Sequence, residues 1–108
     1  MKQHNKLVRD NILEIIEADG IKPTSRILKE EEYKTELLKK LVEEANEVLG
    51  AGNDIDEITK ELSDVWEVIE YIVKAFQLDH SKIQAVKHDR HDKRGGFDKK
   101  IFLESTDE

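Results

Sequence analysis

Four acidic residues fall into two pairs with one spacing: Glu44 with Glu47, and Glu61 with Asp64. Residues at i and i+3 on a helix lie one turn apart on the same face, so each pair presents two carboxylates side by side. Such groups repel one another when they converge, unless a cation neutralises them. Magnesium suits a site of this kind, because it takes oxygen ligands, keeps several waters and joins carboxylates to substrate phosphates. Bound there, it polarises a phosphoryl oxygen and orients water. A solvated acidic face is the competing explanation, since the chain has 25 Asp and Glu residues and Glu-x-x-Glu is a common helical pattern. Against it stands the position of the acids. Glu44 is flanked by Leu41 and Ala45, and Glu61 by Ile58 and Leu62, at the border of apolar stripes where unpaired charge is expensive.

Two long helices must position these pairs. Tyr33, Leu37, Leu41, Ala45 and Val48 recur at a helical period, and Leu38, Val42 and Leu49 widen the stripe, which predicts a helix from Glu30 to Leu49. Glu30, Glu31 and Glu32 suit its N-terminal dipole. After Gly50-Ala51-Gly52 a further helix is expected from Asp54 to Phe76. Asp54 with Glu57 resembles a capping box, and the apolar stripe from Ile55 to Phe76 is wide enough to require burial on more than one side. The short break between the two predicts an antiparallel hairpin. The pair midpoints are offset along it by roughly one or two turns at ~1.5 Å per residue, a gap that helix tilt could close.

A first helix is expected from Asn5 to Asp19, stopped at Gly20 and barred from continuing by Pro23. Ile27 and Leu28 read as extended and packed. A last helix opens at Asp79 or Ser81, ends before Gly95-Gly96 and packs lightly, with Ile83 and Val86 as its main apolar residues. Phe97 to Leu103 reads as extended, with a short ribbon against Arg26–Leu28 as one way to pair it.

Composition narrows the setting. The chain of 108 residues has a charged fraction of 40%, an aromatic fraction of 6%, one proline and five glycines. This fits an all-α helical bundle forming a single domain over residues 1–108. A core of this size is limited, so association with a second copy is expected. The absence of cysteine excludes disulfides, zinc thiolates and thiol nucleophiles and favours a reducing cytoplasm. The opening Met1-Lys2-Gln3-His4-Asn5-Lys6 leads into no apolar leader segment, and no stretch is apolar enough for a bilayer. A net charge of −7 argues against a general nucleic-acid binder.

Glu43-Glu44-Ala45-Asn46-Glu47 followed by Glu61-Leu62-Ser63-Asp64-Val65 resembles the Glu-x-x-Glu and Glu-x-x-Asp signature of MazG-like nucleotide pyrophosphohydrolases. Their superfamily includes the phosphoribosyl-ATP pyrophosphohydrolases and the all-α dUTPases. Lys6-Leu7-Val8-Arg9-Asp10-Asn11-Ile12 and Arg94-Gly95-Gly96-Phe97 resemble the opening and closing segments of one small MazG-like group, so the likeness spans nearly the whole chain. It implies an α-helical fold that associates as dimers or higher oligomers. It also implies Mg²⁺ at Glu44, Glu47, Glu61 and Asp64 as the catalytic carboxylates. The reaction implied is hydrolysis of an α–β phosphoanhydride to a nucleoside monophosphate and pyrophosphate. Glu43 is either a supporting acid or a surface residue.

Phosphate chemistry also needs positive charge. From Val86 to Lys100 six Lys and Arg stand against three Asp, and Lys87, Arg90 and Arg94 share one face of the last helix. They are candidate phosphate contacts, with surface ion pairing as the alternative. Lys6 and Arg9 are further candidates, across a subunit interface on one reading, and Arg9 with Asp10 is equally readable as a structural pair. Trp66 and Phe76 read as core packing, and His80, His88 and His91 as surface residues. The expected function is Mg²⁺-dependent cleavage of a nucleoside triphosphate, including noncanonical ones. The rivals are phosphoribosyl-ATP hydrolysis by the same chemistry and a non-catalytic helical interaction module.

Overall fold

The computed structural model describes residues 1–107. The all-α expectation holds: four helices run in the order α1 Ile12–Ala18, α2 Glu30–Gly50, α3 Ile55–Ala75 and α4 His80–Arg94, and no strand occurs among the described residues. The ribbon between Arg26–Leu28 and the tail is therefore absent. The chain divides into two compact units, Met1–Gln77 and Leu78–Glu108.

The first unit is built on α2 packed against α3, joined by residues 51–54. A connection this short returns the chain antiparallel. Leu37 on α2 and Val68 on α3 are the buried core, 4% and 8% exposed. The inward face of α3 carries Ile58, Val65, Val68 and Ile72, and a second apolar stripe of Ile55, Leu62, Trp66 and Ile69 lies exposed beside it. At ~100° per residue the two stripes are about a quarter-turn apart. Leu38, Val42 and Leu49 form the matching exposed stripe on α2. Burial of α3 on more than one side is thus not achieved within one copy, and Trp66, expected in the core, is 67% exposed. Phe76 is likewise on the exposed side, where the Lys34 ammonium sits 5.6 Å from its ring centroid.

The caps follow local chemistry. The Asp54 carboxylate accepts from the Asp56 and Glu57 N–H groups at 3.1 and 3.2 Å, and so starts α3. At α2 the Glu32 carboxylate accepts from the Lys29 N–H at 3.4 Å and grips the Arg26 guanidinium with contacts of 2.8 and 3.3 Å. The Arg26 hydrogen bond is the main cause holding the Glu32 pKa below its ordinary value, with the Lys29 N–H next. A depressed carboxyl pKa contributes stability above the ordinary pKa and loses it as pH falls through the depressed one. Glu32→Gln is accordingly expected to lower the melting temperature slightly at neutral pH, by the small amount an exposed pair contributes, with the difference vanishing in acid. Thermal melts of both proteins across pH check this.

α1 is shorter than expected. Asn5 takes a positive φ of 46°, and helix begins only at Ile12, behind Asn11. The side chains of Lys6 and Arg9 are engaged with acids on α2 and α3, and that engagement competes with winding residues 5–11 into a helix. The stop at Gly20 is as expected. Gly20 has φ 79°, its N–H reaches the Glu17 carbonyl at 2.9 Å, and the Ile21 N–H reaches Ile16 at 3.3 Å. This is the paired hydrogen bonding of a left-handed helix stop, in which only glycine avoids a steric penalty. Ile27, expected to pack, is exposed.

In the second unit the Asp79 carboxylate accepts from the Ser81 and Lys82 N–H groups and caps α4, which ends at Gly95. No residue of α4 is buried, in keeping with its few apolar positions. The expected extended tail is instead bent at its start, where the Lys100 N–H bonds the Phe97 carbonyl at 3.2 Å. No helix of the described residues is long and apolar enough to cross a membrane.

Candidate metal centre

Leu37, Leu41, Glu44 and Val48 follow one another at helical steps on α2, as Ile58, Glu61, Val65 and Val68 do on α3. Glu44 and Glu61 are therefore set in the faces the two helices turn toward each other. Their side chains are only 13% and 14% exposed, and that of Asp64, at the edge of the same surface, is 31% exposed. One carboxylate oxygen from each of Glu44, Glu61 and Asp64 lies within 4.8 Å of the other two. Packing has closed the expected offset for three of the four acids. Glu47 is outside this set and exposed, one turn nearer the connection.

The electrostatics are those of crowded like charges. The Glu61 pKa is raised, first by desolvation and then by the charges of Asp64, Glu47 and Glu44, against an opposing pull from Lys60. A raised carboxyl pKa means that ionised Glu61 is disfavoured: its favourable contribution exists below the ordinary pKa and is lost as pH rises through the raised one. Glu61→Gln should therefore raise the melting temperature of the metal-free protein at neutral pH. It should also erase any stabilisation by Mg²⁺. Opposite signs from one substitution, read by thermal melts with and without the ion, are hard to obtain from a surface residue.

Each acid of the triad also faces a cation. Lys40, on the same helix as Glu44, approaches it to 3.4 Å. The Lys60 ammonium is 4.0 Å from Glu61. The Arg9 guanidinium donates to Asp64 at 2.8 Å and contacts Glu67 at 3.5 Å. Lys6 reaches Glu43 at 3.2 Å, where Lys40 is also 3.3 Å away. Partial desolvation pushes the Glu43 pKa up, but the hydrogen bonds from Lys6 and Lys40 outweigh it and the net direction is down. Glu43 is thus an ion-paired neighbour of the triad.

Lys6 and Arg9 contact carboxylates, and the pairing of Arg9 with Asp10 does not form, because Asp64 and Glu67 engage it instead. Lys87, Arg90 and Arg94 lie exposed on α4 in the second unit and make no ion pair among the described residues. His88 instead contacts Asp92 at 3.3 Å, and no histidine joins a metal-ligand cluster among the described residues. Lys40, Lys60 and Glu67 are additions to the sequence reading. The i, i+4 spacing of Lys40 and Glu44 signals the first, the adjacency of Lys60 and Glu61 the second, and nothing local signals the third.

An all-oxygen, acidic donor set fits a hard divalent cation. Two oxygens on one magnesium at about 2.1 Å are at most ~4.2 Å apart, and the triad's spacing is within a small side-chain rotation of that. Comparison with protein-family models, with curated proteins and with solved structures gives no match.

Proposed function

We propose that this chain is a Mg²⁺-dependent nucleotide pyrophosphohydrolase, with residues 1–108 forming one domain of the MazG-like kind. The supporting observation is the convergence of Glu44, Glu61 and Asp64 from two helices to within 4.8 Å. These three hold the ion, and Glu47 extends the set when substrate is present. The ion's part is to neutralise and polarise the phosphates. Water attacks the α-phosphorus of a nucleoside triphosphate, the bond to the α–β bridging oxygen breaks, and pyrophosphate leaves with the nucleoside monophosphate retaining the new oxygen. Lys6 supplies positive charge to substrate phosphates once it leaves Glu43, as does Arg9 once it leaves Asp64, and Lys87, Arg90 and Arg94 are further candidates for that role. Noncanonical nucleotides are included in the substrate class, and the setting is the cytoplasm, away from membranes and nucleic acid.

Two copies pack the exposed stripes of α2 and α3 together, as a homodimer or as half of a homotetramer. A hairpin in which Leu37 and Val68 are the only buried apolar residues among those described gains most of its remaining apolar burial that way.

Thermal melting tests the metal reading apart from turnover. Saturation a hundredfold above Kd adds about 2.7 kcal/mol, a rise of about 10 °C for a domain of this size. Asp64→Ala should lose that rise, and an equal rise in the variant or with sodium chloride would contradict the site. The interaction-module reading draws support from the cations already facing each carboxylate, and it predicts only that general salt response. Phosphoribosyl-ATP hydrolysis would use the same residues and is separated by substrate alone.

A further inference from the structure

Three carboxylates and three cations meet at the hairpin: Glu44 with Lys40, Glu61 with Lys60, and Asp64 with Arg9. Lys40 and Lys60 are shared with Glu43 and Glu57, so the acids outnumber the cations and still attract a divalent ion, but an ion that takes the Asp64 oxygen held by Arg9 must displace the guanidinium. The three differ in how they are held. Lys40 and Lys60 are fixed to the hairpin by their own helices. Arg9 alone comes from outside it, carried by residues 1–11, which have no helix or strand. It also makes the shortest contact, 2.8 Å to Asp64, and spans to Glu67 one turn further along α3. Lys6 ties the same segment to Glu43 at 3.2 Å.

We propose that Arg9 is a built-in counter-cation that occupies Asp64 in the metal-free protein and is displaced when a divalent ion binds the triad. The inference rests on the metal reading above. Displacement turns the guanidinium away from Asp64 while Glu67, which is outside the triad, can keep hold of it. One exchange thus opens a ligand and leaves a forked cation at the rim of the site, where planar guanidinium matches a phosphate oxygen pair.

The test is a Mg²⁺ titration of the full chain followed by nitrogen resonances of the Arg9 side chain and of the Glu44, Glu61 and Asp64 amides. Calorimetry of the wild type, Arg9→Gln and Lys60→Gln accompanies it. The Arg9 signals should move and saturate together with the three amides. Arg9→Gln should bind Mg²⁺ about two- to fivefold more tightly than wild type, the range expected for losing one exposed competing pair, and should exceed Lys60→Gln, whose cation lies farther off. Saturating amide shifts with unmoved Arg9 signals, and no tightening in Arg9→Gln, would overturn the counter-cation and leave the metal site standing. No saturable shift at any of these groups would overturn both.

Discussion

Asp64→Ala is expected to lower Mg²⁺-dependent pyrophosphate release by about a thousandfold, and Glu44→Ala and Glu61→Ala by similar factors. A bound ion contributes several kcal/mol of charge stabilisation, and ~4 kcal/mol corresponds to three powers of ten. The fold should survive each change. Asp64 is 31% exposed, and its ion pair with Arg9 is of the surface kind that contributes under about 1 kcal/mol. Glu47→Ala is expected to have a visibly smaller effect, because Glu47 stands outside the group of oxygens within 4.8 Å. Steady-state rates for the four variants, with circular dichroism to check folding, give that ranking. Full turnover in Asp64→Ala would remove the site.

The second large effect concerns association. Trp66 is 67% exposed on a continuous stripe with Leu62 and Ile69, and an aromatic side chain of this size dominates any interface that covers it. Truncation of a central interfacial tryptophan costs about 2 kcal/mol or more, and a two-fold interface counts it twice. Trp66→Ala should therefore weaken self-association by about a thousandfold. Val42→Lys, on the matching stripe of α2, should act in the same direction by placing charge where apolar contact is needed. Sedimentation across a concentration series measures this. The wild type should also melt at a temperature that rises with its own concentration, as a protein stabilised by a second copy must. A wild type that sediments as a monomer at all concentrations would overturn the proposed packing.

The helical period made α2 and α3 legible, and Asp54 and Asp79 marked the starts of α3 and α4, because those signals are local. Placing Glu44 and Glu61 at the border of apolar stripes correctly pointed to their turning inward. Where the structure departs from the local sequence pattern, long-range contacts decide. Residues 5–11 carry enough apolar spacing to suggest helix, yet their basic side chains reach acids far along the chain, Arg9 to Asp64 across 55 positions. Periodicity can locate Trp66 on an apolar face, but it cannot say whether that face is covered within one copy. The offset between the two acid pairs was likewise beyond sequence spacing, since packing of Leu37 and Val68 and the capped turn at Asp54 set how far the helices slide. That slide brought three acids together and left Glu47 aside.

Metal-dependent hydrolysis at the triad is tested by pyrophosphate release from a panel of nucleoside triphosphates and phosphoribosyl-ATP, run with Mg²⁺ and with EDTA, on wild type and Asp64→Ala. Release of pyrophosphate with an equimolar nucleoside monophosphate is expected from at least one nucleoside triphosphate, abolished by EDTA and by the substitution. Folded wild-type protein that releases none from any member with Mg²⁺ present, or that releases it equally in EDTA, would contradict it.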